Sequence, residues 1–377
     1  MSSATRVIVG MSGGVDSAVA ALRLRDAGYE VQGLFMSNWE DEDDYCTTSR
    51  DYQDARRAAA DLGIVLHHVN FADEYRQRVF QYFLDDYRAG RTPNPDVLCN
   101  REIKFGLCLD YALRLGAQRY ATGHYARLLR HEDGAALFQA LDESKDQSYF
   151  LHAVQRERFA HVLFPLGELH KQEVREMARK AGLPVHDKPD STGICFIGER
   201  PFADFLGRYL QATPGPIETL DGRLLGRHRG LPFYTLGQRS GLTIGGASGR
   251  AQEPWYVARK DAGRNALIVV QRHEQHWLDA AAIACGRINW LCAARGGVFR
   301  AEVKLRYRQA AQAATVEPRA DGAWIEFEQP QRAATPGQFA VLYERGRCLG
   351  GGVIEQARYN SQDLPRRSSC AATLEDV

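Results

Sequence analysis

The stretch VIVGMSGGVDS, residues 7–17, passes from an apolar run through two adjacent glycines into a segment that opens with Asp16 and Ser17. This order predicts a β-strand, a tight loop and the first turn of an α-helix. Glycines let backbone N–H groups approach phosphate oxygens closely, and the N-terminus of a helix favours an anion. The loop lacks the lysine of a G-x-x-x-x-G-K-S/T motif, so we predict a nucleotide site of another type. A plain strand-to-helix turn is the alternative interpretation.

The polar side chains of this loop have different predicted roles. The hydroxyls of Ser12 and Ser17 are able to donate hydrogen bonds to phosphate oxygens. Phosphate would repel the carboxylate of Asp16, so we expect Asp16 to cap the helix or to hold Mg²⁺.

Outward from the loop, the N-terminal half of the chain alternates short apolar strands with amphipathic helices. This alternation predicts an α/β fold with a Rossmann-like parallel sheet. Residues 213–249 are rich in Gly, Pro and Arg, which favours a small central α+β domain, and the short alternating segments after residue 281 indicate a C-terminal β-barrel. We predict domains at residues 1–205, 206–280 and 281–360, followed by a disordered tail at residues 361–377.

Composition narrows the class of protein. The 377 residues are 44% hydrophobic and 25% charged, as in a soluble globular chain, and no apolar run approaches the ~20 residues that cross a bilayer. The first residues show neither a signal peptide nor a transit segment, so we expect a cytoplasmic protein with no membrane association. The eight cysteines are then expected to be mostly reduced, and their spacing does not indicate a zinc site. Residues 281–360 hold 11 Lys or Arg against 7 Asp or Glu, which marks the barrel as a candidate surface for an anionic partner.

Two further strands are predicted to end at the same edge of the sheet as the nucleotide loop. Met36 ends the second strand, and Gly123 with His124 ends a later one. Ligands of open α/β sheets collect at this edge. A core methionine and a turn glycine are the alternative interpretations.

Two cysteines stand in distinctive surroundings, 96 positions apart in the chain. Cys99 closes the string GRTPNPDVLCN, where prolines predict a stiff loop before a helix that begins near Lys104. A thiol close to a helix N-terminus, with Arg101 and Lys104 nearby, is expected to have a lowered pKa. Cys195 lies in DSTGICFIG, a polar loop that turns apolar at the thiol. Residue types alone leave open whether both are structural cysteines.

The string VKLRYR, residues 303–308, alternates basic and other residues. A regular strand would place Lys304, Arg306 and Arg308 on one face, with Tyr307 opposite, and such a row is able to follow phosphates. A solvated strand face is an equally good interpretation of the residues alone.

Six strings, GMSGGVDS, GRTPNPDVLCN, ATGHYAR, SKDQSYFL, DSTGICFIG and EPWYV, occur in this order and spacing between residues 10 and 257, and the similarity runs from about residue 6 to 356. In them the chain resembles the tRNA-specific 2-thiouridylases (the MnmA/TrmU family), and its first loop resembles the PP-loop of ATP pyrophosphatases. The resemblance implies a nucleotide domain of the adenine nucleotide alpha hydrolase type. It implies ATP as the cofactor, tRNA and a sulfur-donor protein as partners, and 2-thiouridine at the wobble position of the tRNAs for lysine, glutamate and glutamine as the product.

The resemblance also implies roles for individual residues. Cys99 matches the nucleophile, and Cys195 matches the cysteine that receives sulfur as a persulfide. The residues implied in ATP binding are Gly10, Met11, Ser12, Gly13, Gly14, Val15, Asp16, Ser17, Met36 and Gly123. The residues implied in contacts with the target base or with tRNA are Asn94, Pro95, Asp96, His124, Lys145, Asp146, Gln147, Arg306, Tyr307 and Gln338.

The implied chemistry explains why these groups are needed. Attack of the uracil C2 oxygen on the ATP α-phosphorus turns that oxygen into a good leaving group, and a persulfide on Cys195 then supplies sulfur. Loop N–H groups and Mg²⁺ would stabilise the departing pyrophosphate. Asp96, three residues before Cys99, is the candidate acid/base. The order of events at Cys99 and Cys195 stays open.

Three rival interpretations also stay open. The chain could be a PP-loop adenylating enzyme that acts on a small molecule, or an RNA-binding module with an inactive nucleotide loop. In the third, Cys99, Cys195 and Asp96 would ligate an iron–sulfur cluster.

Overall fold

The structure is a computed structural model that describes residues 4–39, 48–131, 134–189, 202–242, 244 and 253–359. The strands in chain order are β1 (Arg6–Gly10), β2 (Glu30–Ser37), β3 (Leu66–Asn70), β4 (Arg119–Ala121), β5 (Arg127–His131), β6 (Gly134–Phe138), β7 (Val162–Leu163), β8 (Gly215–Glu218), β9 (Leu224–His228), β10 (Tyr256–Asp261), β11 (Ala266–Val270), β12 (Asp279–Cys285), β13 (Asn289–Trp290), β14 (Phe299–Lys304), β15 (Gln312–Arg319), β16 (Gly322–Arg332), β17 (Phe339–Glu344) and β18 (Arg347–Tyr359).

The α-helices are α1 (Val15–Asp26), α2 (Thr48–Leu62), α3 (Ala72–Tyr75), α4 (Gln81–Arg88), α5 (Pro95–Leu98), α6 (Leu109–Arg114), α7 (Ser148–Leu151), α8 (Lys171–Lys180) and α9 (Phe202–Gly207). Wider π-helical turns at Arg76–Phe80 and Cys99–Cys108 join α3 to α4 and α5 to α6, and tighter 3₁₀ turns lie at Arg156–His161, Leu231–Phe233 and Arg272–Leu278.

The N-terminal sheet has the strand order β3-β2-β1-β4-β7, and every neighbouring pair is parallel. Side chains of β1 alternate between its two faces, as in any strand. Val7 and Val9 join a core with α1, α2 and α8, whereas Ile8 joins the core that contains Cys99. Helices therefore cover both faces, which confirms the predicted Rossmann-like α/β fold.

The central region forms a four-stranded sheet in the order β10-β11-β8-β9, with Ile217, Leu267 and Val269 in its core. The C-terminal region closes into a six-stranded barrel, because β12 pairs with both β16 and β18 at the ends of the order β12-β16-β15-β14-β17-β18. The predicted barrel is confirmed.

The hairpin β5–β6 joins the barrel sheet, since Phe138 of β6 pairs with Arg347 of β18. The N-terminal half of the chain thus contributes a hairpin to the sheet that forms the barrel. The domain boundaries given above stay predictions, and the predicted tail at residues 361–377 lies outside the described residues. Within the described part of the chain, the structure offers no helix with the length and apolar character needed to span a bilayer.

Candidate active site

The loop between β1 and α1 adopts a shape that requires glycine at one position. Gly13 has φ +74°, and a side chain there would collide with the carbonyl of Asp51. The N–H of Ser12 donates to Ser17 Oγ at 3.1 Å, and Ser17 Oγ donates to the carbonyl of Gly14 at 3.0 Å. The two hydroxyls predicted to meet phosphate lie 3.3 Å apart at the N-terminus of α1. The loop thus has the form of an anion-binding turn.

Asp16 does not cap α1, so that prediction is wrong. Gly14 occupies the N-cap position and makes no side-chain cap bond. The carboxylate of Asp16 instead accepts hydrogen bonds from Lys171 Nζ at 2.7 and 2.8 Å and from the Tyr125 hydroxyl at 2.8 Å. These three hydrogen bonds use part of the acceptor capacity of the carboxylate, and the magnesium role of Asp16 stays a prediction. No group of three or more His, Cys, Asp or Glu in the described ranges is able to hold a metal ion.

Two glycines let the strand ends approach the loop closely. A Cβ at Gly10 would lie 2.6 Å from the Tyr120 hydroxyl oxygen, and a Cβ at Gly123 would lie 2.7 Å from the carbonyl carbon of Asp16. Both values are too short for real contacts, so a side chain at Gly10 would displace the Tyr120 ring and one at Gly123 would displace the backbone of Asp16. The side chains of Met11 and Val15 are buried in the core, so they are able to meet a nucleotide only through their backbone.

Met36 and His124 mark the ends of β2 and β4. The Sδ atom of Met36 lies 3.1 Å from the thiol sulfur of Cys108. His124 is buried, and its Nδ1 shares a 2.8 Å hydrogen bond with the Thr122 hydroxyl. Burial, reinforced by the positive charge of Lys104, lowers the pKa of His124 well below its ordinary value, so the ring is neutral at pH 7.

The helix that carries Cys99 begins earlier than predicted. It starts at Pro95, after Asn94 in an extended conformation, and continues through Cys99–Cys108 to Arg114. Proline is a favoured first residue of a helix, which explains why the string NPD starts a helix and is not a stiff loop. The expectation of a helix that begins near Lys104 is therefore wrong. Cys99 lies inside the helix and is only 2% exposed.

The turns from Cys99 to Cys108 are wider than those of an α-helix. Residues nine apart point to opposite sides of an α-helix but to the same side of a π-helix with about 4.4 residues per turn. Cys99 and Cys108 therefore share one side, where Tyr120 forms a hydrogen bond with Cys108. Burial, followed by the neighbouring Cys108 and Cys99, raises the pKa of Tyr120 well above its ordinary value. Burial also raises the pKa of Cys108 to about 12, so Cys108 is a protonated thiol.

Asp96 lies one turn before Cys99 and is half-buried. Burial raises the pKa of its carboxyl group, although the ammonium of Lys104 acts in the opposite direction. A raised carboxyl pKa is suited to proton transfer near neutral pH. The backbone carbonyl of Asp96 accepts a 3.0 Å hydrogen bond from the side-chain amide of Asn100.

Cys195 falls in residues 190–201, outside the described residues. Its meeting with Cys99 therefore stays a prediction. Shortly before that segment, Lys188 Nζ donates to the carbonyl of Gly13 and to the carboxylates of Asp51 and Asp54.

Sequence reasoning missed both lysines that contact the loop. Lys171 meets Asp16 from 155 positions away, and Lys188 meets Gly13 from 175 positions away. No local pattern distinguishes these lysines from surface ones, because only the tertiary fold brings them to the loop.

The predicted RNA residues Lys145, Asp146 and Gln147 lie between β6 and α7. Asp146 is 3% exposed and accepts hydrogen bonds from the backbone N–H groups of Ala140 and Ser148, both at 3.1 Å. Gln147 accepts a 2.9 Å bond from the N–H of Tyr125. These bonds favour a structural role for Asp146 and Gln147. The RNA contacts of all three stay predictions.

The predicted basic strand face is wrong. Strand β14 ends at Lys304, which is 9% exposed and lies 3.5 Å from Asp146. The chain then turns, so that Arg306 donates to the carbonyl of Ala333 at 3.1 Å and Tyr307 packs on Phe150 with ring centroids 4.5 Å apart. At the end of the strand, the ammonium of Lys304 lies beside the buried carboxylate of Asp146.

Gln338 contacts the loop in front of the Cys99 helix. Its Nε2 donates to the carbonyl of Thr92 at 2.8 Å and to that of Pro93 at 3.2 Å. The N–H of Thr92 donates to the carbonyl of Pro336 at 2.9 Å. The barrel therefore holds the chain that leads into Asn94, Pro95 and Asp96.

A parallel sheet whose first strand enters a helix through S-G-G-x-D-S defines a PP-loop nucleotide-binding protein. Three family profiles match in series: a tRNA methyl transferase HUP domain at residues 5–199, a tRNA methyl transferase PRC-barrel domain at 203–271, and an aminomethyltransferase β-barrel domain at 280–354. The tRNA-specific 2-thiouridylase MnmA of Stutzerimonas stutzeri is 55% identical over 94% of this chain and 95% of its own length. The tRNA-specific 2-thiouridylase MnmA of Marinobacter nauticus is 53% identical over 96% of this chain and 94% of its own length. The chain belongs to the tRNA-specific 2-thiouridylase family.

Two of the solved structures that match this chain are distant from it in sequence. The U34-tRNA thiolase NcsA from Methanococcus maripaludis with its 4Fe-4S cluster is 17% identical over 50% of this chain and 60% of that chain, with a TM-score of 0.34. A 4-thiouridine synthetase in complex with RNA and bound ATP is 17% identical over 54% of this chain and 50% of that chain, also with a TM-score of 0.34.

Proposed function

We propose that this chain catalyses the ATP-dependent replacement of the C2 oxygen by sulfur in the wobble uridine of tRNAs for lysine, glutamate and glutamine. One observation carries the proposal beyond family membership: the nucleotide loop and the Cys99 helix share Tyr120. The Tyr120 hydroxyl lies against Gly10 on one side and bonds to Cys108, beside Cys99, on the other. A nucleotide at the loop would therefore have its reacting phosphate near the thiol.

ATP is proposed to bind where β1 enters α1. Loop N–H groups and the Ser12 hydroxyl would hold its phosphates at the N-terminus of α1, and the Ser17 hydroxyl would join them by exchanging its bond to the Gly14 carbonyl for one to phosphate. Met36 and Gly123 would line the same edge of the sheet. Mg²⁺ would neutralise phosphate charge at the same place, beside Asp16, whose carboxylate also accepts hydrogen bonds from Lys171 and Tyr125.

Adenylation of the base is the proposed first step. The C2 oxygen of uracil attacks the α-phosphorus, the bond between the α and β phosphates breaks, and pyrophosphate leaves. Asp96 is the proposed acid/base, because its raised pKa lets it hold or release a proton at this half-buried position. Neutral His124 would contact the base or the RNA without adding charge.

Sulfur transfer follows in one of two orders. The terminal sulfur of a Cys195 persulfide attacks C2, AMP departs with the oxygen, and the Cys99 thiolate attacks the inner sulfur. Alternatively, Cys99 first cleaves the persulfide, and the released sulfide attacks C2. Both orders leave sulfur on the base and a Cys99–Cys195 disulfide, which an external two-electron reductant must reopen. A sulfur-donor protein is needed to load Cys195 again.

The test is nucleoside analysis of tRNA after incubation with ATP, a sulfur source and the protein, with release of AMP and pyrophosphate measured in parallel. We expect 2-thiouridine from wild type and from Cys292→Ser, a partly exposed barrel cysteine that serves as control. We expect no 2-thiouridine from Cys195→Ser. AMP release with a small molecule in place of tRNA would instead favour the small-molecule enzyme, and no AMP release at all would favour an inactive nucleotide loop.

A further inference from the structure

Lys188 satisfies three acceptors at the edge of the nucleotide loop. Its Nζ donates to the Gly13 carbonyl at 3.0 Å, to Asp51 Oδ1 at 2.7 Å and to Asp54 Oδ2 at 2.6 Å. An ammonium group has three donors, so this environment uses its full capacity. The two carboxylates come from the first two turns of α2, three positions apart.

The bond to Gly13 fixes the orientation of one peptide group. The described residues contain no cis peptide bond, so the carbonyl of Gly13 and the N–H of Gly14 point in opposite directions. A carbonyl held toward Lys188 therefore turns the N–H of Gly14 away from α2. Gly14 is the N-cap of α1, where N–H groups point out of the helix toward an anion.

The backbone of Lys188 is fixed as well. Arg175 of α8 donates to the carbonyl of His186 at 3.0 Å and to that of Lys188 at 3.2 Å. These bonds hold the chain so that the lysine side chain reaches the loop. Partial burial lowers the pKa of Lys188. The hydrogen bonds that it makes to Asp51 and Asp54, together with the negative charges of these two residues, have the larger effect, so the pKa of Lys188 is raised. Lys188 stays charged at neutral pH.

We propose that Lys188 is a positioning residue for the nucleotide: by holding the Gly13 carbonyl it aims the Gly14 N–H at the phosphates. This role rests on the proposed function of the loop as an ATP site. It is distinct from simple neutralisation of Asp51 and Asp54, whose carboxylates would otherwise repel phosphate.

The test measures binding of α,β-methylene-ATP to the full-length protein, together with KM for ATP and kcat in tRNA thiolation. We expect Lys188→Met to weaken analogue binding and to raise KM by tenfold or more, with a smaller change in kcat. The matched control is Lys180→Met, because Lys180 is an exposed lysine of α8 that meets only Glu176 at 3.5 Å in the described ion pairs. The Lys180→Met variant should bind the ATP analogue as tightly as wild type.

A triple variant separates orientation from charge. Lys188→Met combined with Asp51→Asn and Asp54→Asn removes the unbalanced carboxylates but does not restore the bond to Gly13. We expect the triple variant to bind as weakly as Lys188→Met. Recovery to within about twofold of wild type would overturn the proposal, since neutralisation alone would then account for the effect.

Two further outcomes are informative. If Lys188→Met does not fold, Lys188→Arg replaces it, because a guanidinium keeps the charge but not the ammonium geometry. Weaker binding with an intact fold supports positioning, and unchanged binding contradicts it. If wild type itself does not bind the analogue, the proposed ATP site fails. If wild type and Lys188→Met bind equally, only the role of Lys188 fails.

Discussion

Replacement of Lys171 by Met should destabilise the N-terminal sheet, because it leaves the carboxylate of Asp16 without its cation. Lys171 is 8% exposed, and its Nζ lies 2.7 and 2.8 Å from the two oxygens of Asp16. Removal of one partner from a buried ion pair costs about 3–5 kcal/mol. The side chain of Asp16 is 33% exposed and keeps its bond to Tyr125, so roughly 2–3 kcal/mol is expected here.

Urea unfolding followed by circular dichroism measures this change as a shift of the midpoint at constant slope. The variant Lys171→Met with Asp16→Asn should recover at least half of the loss, since a neutral amide replaces the isolated charge. A loss below about 0.5 kcal/mol in the single variant would show that the ion pair is not an effective part of the core.

Three other changes have defined outcomes. Gln338→Leu removes two hydrogen bonds to the loop at Thr92, at roughly 1 kcal/mol each, and should slow thiolation by up to about 30-fold without weakening nucleotide binding. An equal loss of nucleotide affinity would contradict this. Asp96→Asn should slow AMP release with tRNA by at least about 100-fold, and a rate within threefold of wild type excludes the acid/base role. Burial lowers the pKa of His152 from 6.5 to about 4, so the unfolded chain binds more protons between these values and stability falls as pH falls. We therefore expect the free energy of unfolding of His152→Gln, relative to that of wild type, to be about 2 kcal/mol higher at pH 5 than at pH 7 in urea unfolding. The exposed His161→Gln is the control, and an equal gain there would contradict the assignment.

The parts of the molecule that follow local rules were predictable from sequence. The loop at residues 10–17 combines glycine freedom with a helix start, so its conformation follows from neighbouring residues, and its binding of phosphate stays a prediction. The parallel sheet follows from the alternation of apolar strands with helices, and the barrel follows from short strands in which alternate side chains are buried.

What sequence could not supply depends on contacts between distant segments. The cation for Asp16 comes from the start of α8, and the hairpin β5–β6 joins a barrel formed by residues far later in the chain. Lys304 turns inward because Asp146, itself buried by backbone hydrogen bonds, lies beside it. The wide helical turns at Cys99–Cys108 have no pattern in residue type that separates them from an ordinary helix.

The most direct measurement of the central claim is a single turnover without reductant, on protein loaded with a persulfide and supplied with ATP and tRNA. Peptide mapping by mass spectrometry should find one Cys99–Cys195 disulfide for each 2-thiouridine formed. Formation of 2-thiouridine while Cys99 remains fully open to alkylation would show that the two thiols do not meet during sulfur transfer.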